Sequence, residues 1–146
     1  MKLTAFTDYA LRTLIYLGLN PGRLSTIDEI CEAYDIPRNH LTKVVHLLGS
    51  SGWVRTVRGK GGGLQLALPP EQIPIGQVVR LTETDFEMVE CFNGATNRCV
   101  LSPACRLKSA LKQATDAWFA VLDPLTLADM LGNAAGLRLQ LKGVSA

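Results

Sequence analysis

The chain predicts a mainly α fold with one small β-hairpin: a winged helix-turn-helix unit followed by a long dimerisation helix. Three observations carry this. Apolar residues recur at helical spacing through three successive segments of the first 50 residues. Two short β-forming runs then flank Arg58-Gly59-Lys60-Gly61-Gly62-Gly63. A second helical pattern extends from Cys105 to about Leu131. Helical spacing places residues three and four apart on one face, and alternation with glycine turns marks a hairpin.

The chain has 146 residues, 47% apolar, and a net charge of +2. That is enough for one core and an oligomer surface, but bulk charge is too small to draw an acidic partner; a local patch is needed. No apolar run reaches the roughly 18 residues of a membrane span. The start carries Asp8 early and has no cleavage site, so it does not read as a signal peptide. A cytoplasmic, reducing setting is expected, where cysteines bind metals or react rather than pair.

Residues 3–19 are expected to form the first helix, with Leu3, Phe6, Ala10, Leu14 and Leu17 on one stripe and Leu11 and Ile15 widening it. Asn20-Pro21-Gly22 stops it. Asp8 and Arg12, four apart, can pair, and on spacing alone Asp8 reads as a solvated first-turn acid. Ser25-Thr26 with Asp28-Glu29 starts the next helix. Ile27, Ile30, Cys31 and Tyr34 form its stripe, which makes Cys31 a small core residue. Asp35-Ile36-Pro37 breaks it.

The third helix runs from Arg38 to Ser50. Leu41, Val44, Val45 and Leu48 form its apolar face; Arg38, Asn39, His40, Thr42, Lys43 and His46 form the other. Two helices joined by a tight turn, the second basic and amide-rich outside, match a helix-turn-helix, although a polar outer face by itself is also an ordinary solvated one. Arg and Lys neutralise phosphates, and Asn and Arg can bond base edges in pairs. The two histidines read as groove-facing rather than as ligands. Strands at 53–57 and 64–68 then make a wing with Arg55, Arg58 and Lys60 at a glycine-rich tip. No Gly-Lys-Ser/Thr opens a helix there, which excludes a phosphate loop.

Pro69-Pro70 begins a linker, and 75–84 reads as a short helix. The helical run after Cys105 carries Leu107, Leu111, Ala114, Trp118, Val121, Leu122 and Leu125, with a kink or stop at Pro124. It has little core of its own, so pairing with its copy in a homodimer is expected, with Trp118 and Phe119 in the dimer core. The chain thus divides into a DNA-binding unit at 1–70, a connecting helix and ligand loop at 71–106, a dimerisation helix at 107–131 and a loose tail at 132–146.

Cys91, Cys99 and Cys105 lie in a loop rich in Asn, Gly, Ser and Pro. Such a loop can bring three thiolates to one centre, and thiolates suit iron–sulfur clusters, zinc or copper(I). Spacing alone leaves zinc and iron–sulfur even, and three cysteines leave a four-coordinate site one ligand short. An enzyme of the thiol oxidoreductase class would need a Cys-x-x-Cys pair or a base beside a cysteine; neither occurs, so no enzyme is expected.

Taken in this order, winged helix, three-cysteine loop and long helix resemble the iron–sulfur winged-helix repressors, the family that includes IscR and the nitric-oxide sensor NsrR. The resemblance covers about residues 1–131. It rests on the Met-Lys-Leu-Thr-x-Phe-Thr-Asp-Tyr-Ala-Leu-Arg start, the wing Gly-Lys-Gly-Gly-Gly, Val89-Glu90-Cys91-Phe92, the run Cys99 to Leu107 and Thr126-Leu127-Ala128-Asp129. The last two look closest to the NsrR branch. IscR-like members place a histidine three residues after the third cysteine, where this chain has Lys108, and their first cysteine gap is shorter. The resemblance implies a dimeric, nitric-oxide-sensing repressor of double-stranded operator DNA. It implies a cluster on Cys91, Cys99 and Cys105, with Asp8 of the partner subunit as fourth ligand; members carry either [4Fe–4S] or [2Fe–2S], and [4Fe–4S] is the preferred expectation here. The alternatives are an IscR-like regulator of cluster assembly and a zinc-stabilised winged-helix interaction module.

Overall fold

The computed structural model describes residues 2–141. Helix α1 (Ala5–Leu19) opens with Thr4, whose hydroxyl accepts the Thr7 amide at 3.3 Å. Helix α2 (Ile27–Tyr34) starts from a full capping box: Thr26 Oγ1 accepts from the Glu29 amide at 3.2 Å, and Glu29 Oε2 accepts from the Thr26 amide at 2.8 Å. Burial pushes the Glu29 carboxyl up, but Arg23 and the Thr26 amide together hold it below its ordinary value. Asp35 ends α2 in the left-handed region at φ 54°, a conformation that Asp tolerates better than most residues. Pro37 then leads into α3 (Arg38–Ser50), whose buried residues are the expected Leu41, Val44, Val45 and Leu48.

The wing consists of β1 (Val54–Val57) and β2 (Gly63–Leu66), antiparallel with Val54 opposite Leu66 and Val57 opposite Gly63. Each strand has four residues, one fewer than the alternation suggested, and β2 begins one residue earlier, at Gly63. Trp53 is buried, and its carbonyl accepts from Ala67 beyond the ladder. Ser25 adds a single rung, exchanging backbone hydrogen bonds with Leu64 at 2.9 and 2.7 Å and so docking the wing on the α1–α2 connection. At the tip, Gly59 and Gly61 have φ of +98° and +79°, which side-chain-bearing residues rarely adopt.

After a 3-10 turn at Pro70–Gln72 comes α4 (Ile75–Thr82), amphipathic and buried through Ile75, Val78, Val79 and Thr82. The next helix, α5 (Arg106–Leu122), has no fully buried residue. It stops at Leu122 instead of continuing to Leu131. Pro124 has no amide to donate, and Thr126 and Asp129 form a fresh capping box that starts α6 (Leu127–Met130). Residues 132–146 were expected as a loose tail, but α7 (Ala134–Gln140) forms within them; residues 142–146 lie outside the described part. Asn133 caps α7, and Arg138 donates to the Leu19 carbonyl at the end of α1.

One core runs through Leu14, Tyr16, Ile30, Leu41, Leu48, Leu64, Ile73, Val78, Val79 and Leu127. Helix α1 lies at its centre against α3, α4, α6 and β2, which explains why more than one stripe of α1 is buried. Thr7, Thr13 and Tyr16 are buried beside the expected Ala10, Leu14 and Leu17. Thr13 meets the cost of burial by donating to the Tyr9 carbonyl at 2.7 Å. Cys31 packs against this core, and burial pushes its thiol up, as a core role requires.

Candidate nucleic-acid interface and three-thiol loop

All six polar residues assigned to the outer face of α3 are exposed: Arg38, Asn39, His40, Thr42, Lys43 and His46. Their neighbours Leu41, Val44, Val45 and Leu48 anchor the helix beneath them, so a single amphipathic pattern sets which groups face outward. Some of this capacity is already engaged. Arg38 pairs with Asp28 of α2 across the turn. Asn39 Oδ1 accepts the His40 amide at 3.0 Å, and the Thr42 hydroxyl donates to the Arg38 carbonyl at 2.8 Å. On the wing, Arg55, Arg58 and Lys60 are exposed as expected. Helix and wing thus present separate basic groups, the arrangement that phosphate binding needs on the two sides of a groove.

Behind α3, the Tyr9 ring of α1 lies 6.2 Å from the His40 ring. Asp8, one residue earlier, pairs with Arg12: Nη2 to Oδ2 is 2.9 Å, and both side chains are 44% exposed. The Arg12 guanidinium also lies over the Tyr34 ring of α2, 5.8 Å from its centre. The Tyr34 hydroxyl is pushed up to about 12, by burial first and against the influence of Arg12. Asp8 is therefore not merely a solvated first-turn acid. It is the accessible end of a contact chain that runs through Arg12 to Tyr34 of α2, and it lies one residue from the Tyr9 ring that faces His40 of α3.

Cys91, Cys99 and Cys105 are free and half-buried. They stand in the loop between α4 and α5, with short 3-10 turns at Glu90–Phe92 and Ser102–Ala104. Asn93 and Asn97 fold the first segment: the Ala95 and Cys99 amides donate to their side-chain oxygens at 3.0 Å each. Cys105 occupies the N-cap of α5 and lines an apolar hollow of about 320 Å³ with Val100, Leu101, Pro103 and Ala104. Val100 is 90% exposed. Three soft, unpaired thiols in one loop are a donor set that fits an iron–sulfur cluster. Among the described residues, no three His, Cys, Asp or Glu are gathered in metal-binding geometry, so a single chain does not bring Asp8 and the three cysteines together as a ready site. Lys108, at the position where IscR-like members carry a histidine, instead donates to Ser102 Oγ at 3.1 Å.

Sequence reasoning missed the groups that join α4 to α5. Arg80 forks onto Asp123 and lies 3.8 Å over the Phe119 ring, while Phe86 packs edge-on against Phe119 at 4.7 Å. Trp118 and Phe119, expected in a dimer core, thus form an aromatic cluster with Phe86 inside the chain. Arg80 and Asp123 are 43 positions apart, and no periodic signal links residues across such a gap. Among the described residues, no helix is long and apolar enough to cross a membrane.

Known proteins agree with this architecture. The Rrf2 family, described as iron-dependent transcriptional regulators, matches residues 3–133. The HTH-type transcriptional regulator NsrR of Bacillus subtilis is 54% identical over 134 residues, 91% of this chain and 92% of that protein. The structure of CymR, the global cysteine regulator of B. subtilis, superposes with a TM-score of 0.73 at 27% identity, over 89% of this chain and 95% of the other. T. potens IscR shares the fold, with a TM-score of 0.73 at 24% identity over 100% of this chain and 94% of its own. The chain is a transcriptional regulator rather than an enzyme, and it belongs to the Rrf2 family.

Proposed function

We propose that the protein is a homodimeric iron–sulfur repressor that releases operator DNA when nitric oxide reaches its cluster. The observation that carries this is the union, in one chain, of an exposed basic α3 and wing with a loop of three free thiols at the base of α5. Cys91, Cys99 and Cys105 would hold the cluster, [4Fe–4S] in preference to [2Fe–2S], and Asp8 of the partner subunit would complete it. Such a group supplies iron that a small reactive gas can attack, most readily where a hard carboxylate replaces a thiolate. Three features support Asp8 in that role. Its carboxylate is exposed, it is not gathered with the cysteines of its own chain, and Lys108 is engaged with Ser102.

The chain's own residues then define the switch. To leave for a ligand, Asp8 must give up Arg12, and Arg12 then bears only on Tyr34 of α2. Asp8 and Tyr9 are adjacent on α1, so a pull on one shifts the ring that faces His40 on α3. Because α1 packs against α3 through a dense core, its displacement moves the recognition helix as a body. The exposed Leu107 and Val121 leave one face of α5 open to a second copy. Two such heads would read half-sites about one DNA turn apart.

The test is operator binding by anaerobically purified protein, before and after stoichiometric nitric oxide. Loaded protein is expected to be coloured and to bind, and the gas to abolish binding. Equal affinity in both states would end the proposal, since a switch requires differential affinity. Zinc without acid-labile sulfide would favour the interaction module instead.

A further inference from the structure

Two hydrogen bonds close the cysteine loop from its two ends, and neither involves a cysteine side chain. At the entry, the Arg98 amide donates to the Glu90 carboxylate, bringing the residue before Cys99 back to the residue before Cys91. At the exit, Lys108 Nζ reaches from the first turn of α5 to Ser102 Oγ at 3.1 Å, midway between Cys99 and Cys105. Between the two ties, the Ser102 amide donates to the Cys99 carbonyl and the Ala104 amide to the Leu101 carbonyl, each at 3.1 Å. The apolar residues of the segment are not what hold it: Val100 and Leu101 are 90% and 67% exposed. Polar ties must therefore order a stretch that burial does not order.

We propose that Glu90 and Lys108 are positioning residues for the three thiols, holding the loop closed before any metal group binds. The inference rests on the reading of this loop as a cluster site. Glu90 brings the residues beside Cys91 and Cys99 together, and Lys108 closes the turn that carries Cys105 onto Ser102, whose amide is bonded to the Cys99 carbonyl; a bound group has only to draw the three thiols the rest of the way. Each acts by hydrogen bonding to the loop rather than by ligation. Ordering the loop beforehand removes part of the entropy that binding would otherwise have to meet, and so slows loss of the group.

The experiment uses the full chain. Glu90→Leu and Lys108→Met remove one tie each, whereas Glu90→Gln keeps an acceptor and Lys108→Arg keeps a donor. In metal-free protein, amide hydrogen exchange across residues 98–104 should rise about fivefold in the first pair and stay near wild type in the second. In anaerobically reconstituted protein, iron and sulfide loss to a chelator should accelerate by a similar factor, with the same rescue. Ser102→Ala should match Lys108→Met and add little to it. Unchanged exchange and unchanged loss in Glu90→Leu and Lys108→Met, with wild type fully loaded, overturn this inference alone. Wild type that takes up no iron and sulfide overturns the cluster reading and this inference with it. A fall in thermal midpoint without any change in chelator loss also counts against positioning.

Discussion

Arg80 and Asp123 join α4 to the far end of α5: Arg80 Nη2 donates to Asp123 Oδ2 at 2.9 Å while its guanidinium covers the Phe119 ring. This fork holds Asp123 below its ordinary value and raises Arg80. Beside it, the Ile75 amide donates to the Leu125 carbonyl and the Leu127 amide to the Ile73 carbonyl, each at 2.9 Å. The cysteine loop meets α5 at its other end, roughly 25 Å away for 17 residues of helix. Helix α5 is thus held to α4 at one end and meets the cysteine loop at the other.

The strength of that joint lies in burial rather than charge. Leu127 is fully buried, so Leu127→Ala should destabilise the fold by about 2–5 kcal/mol. Arg80 is exposed, and Arg80→Lys keeps the charge but loses fork and ring contact. Chemical denaturation should therefore show a large loss for Leu127→Ala and a small one for Arg80→Lys. Amide exchange at 73–75 and 125–127 should rise in both.

Acid should loosen α6 before it unfolds the core. Asp129 is held below its ordinary 3.8, first by the Thr126 amide and then by the Thr126 hydroxyl. A depressed carboxylate stabilises the fold above its unfolded value, and that contribution is lost as pH falls through the folded one. Stability measured from pH 5 down to pH 2 (about the range over which carboxylates titrate) should fall less steeply in Asp129→Asn than in wild type. An identical slope would show that the cap contributes nothing.

Base readout and phosphate contact should separate on α3. Lys43→Ala should weaken binding to all duplexes alike and reduce the salt slope of the association constant by about 1. Asn39 is exposed, and its side-chain oxygen accepts the His40 amide in the free protein, a bond it would exchange for a base edge on DNA. Asn39→Ala should lower affinity for the operator by about 1–3 kcal/mol while sparing random DNA. Titration against both duplexes at two salt concentrations distinguishes these outcomes.

The four cysteines should divide by context. Cys31 packs on the core, so Cys31→Ser should lower the thermal midpoint and leave iron content unchanged. Cys91→Ser, Cys99→Ser and Cys105→Ser alter half-buried positions in a loop outside the core, so they should leave the midpoint of the metal-free protein near wild type and remove iron. Iron retained in all three loop variants would place the metal elsewhere.

Much of the fold could be read because it is encoded over short distances. The apolar positions of α3 repeat within one helix, and the same repeat places Arg38, Lys43 and His46 outward. The capping box at Thr26 and Glu29 spans three residues and was legible for that reason. The end of α5 was harder. Pro124 allows either a kink or a stop, and the choice depends on Thr126 finding Asp129 as its cap. The aromatic pair Trp118 and Phe119 showed that something packs on α5 but not that Phe86 does so.

The order of helices and wing, the identity of the outward face of α3 and the three-thiol donor set were determined by the sequence alone, because periodicity and residue chemistry are properties of short segments. Tertiary structure alone decided that Arg80 meets Asp123, that Asp8 is tied through Arg12 toward Tyr34, that Glu90 and Lys108 close the cysteine loop, and that Leu127 completes the core around α1. Contacts between residues far apart in the chain depend on how already formed helices pack, and packing is set by the shapes of all of them at once.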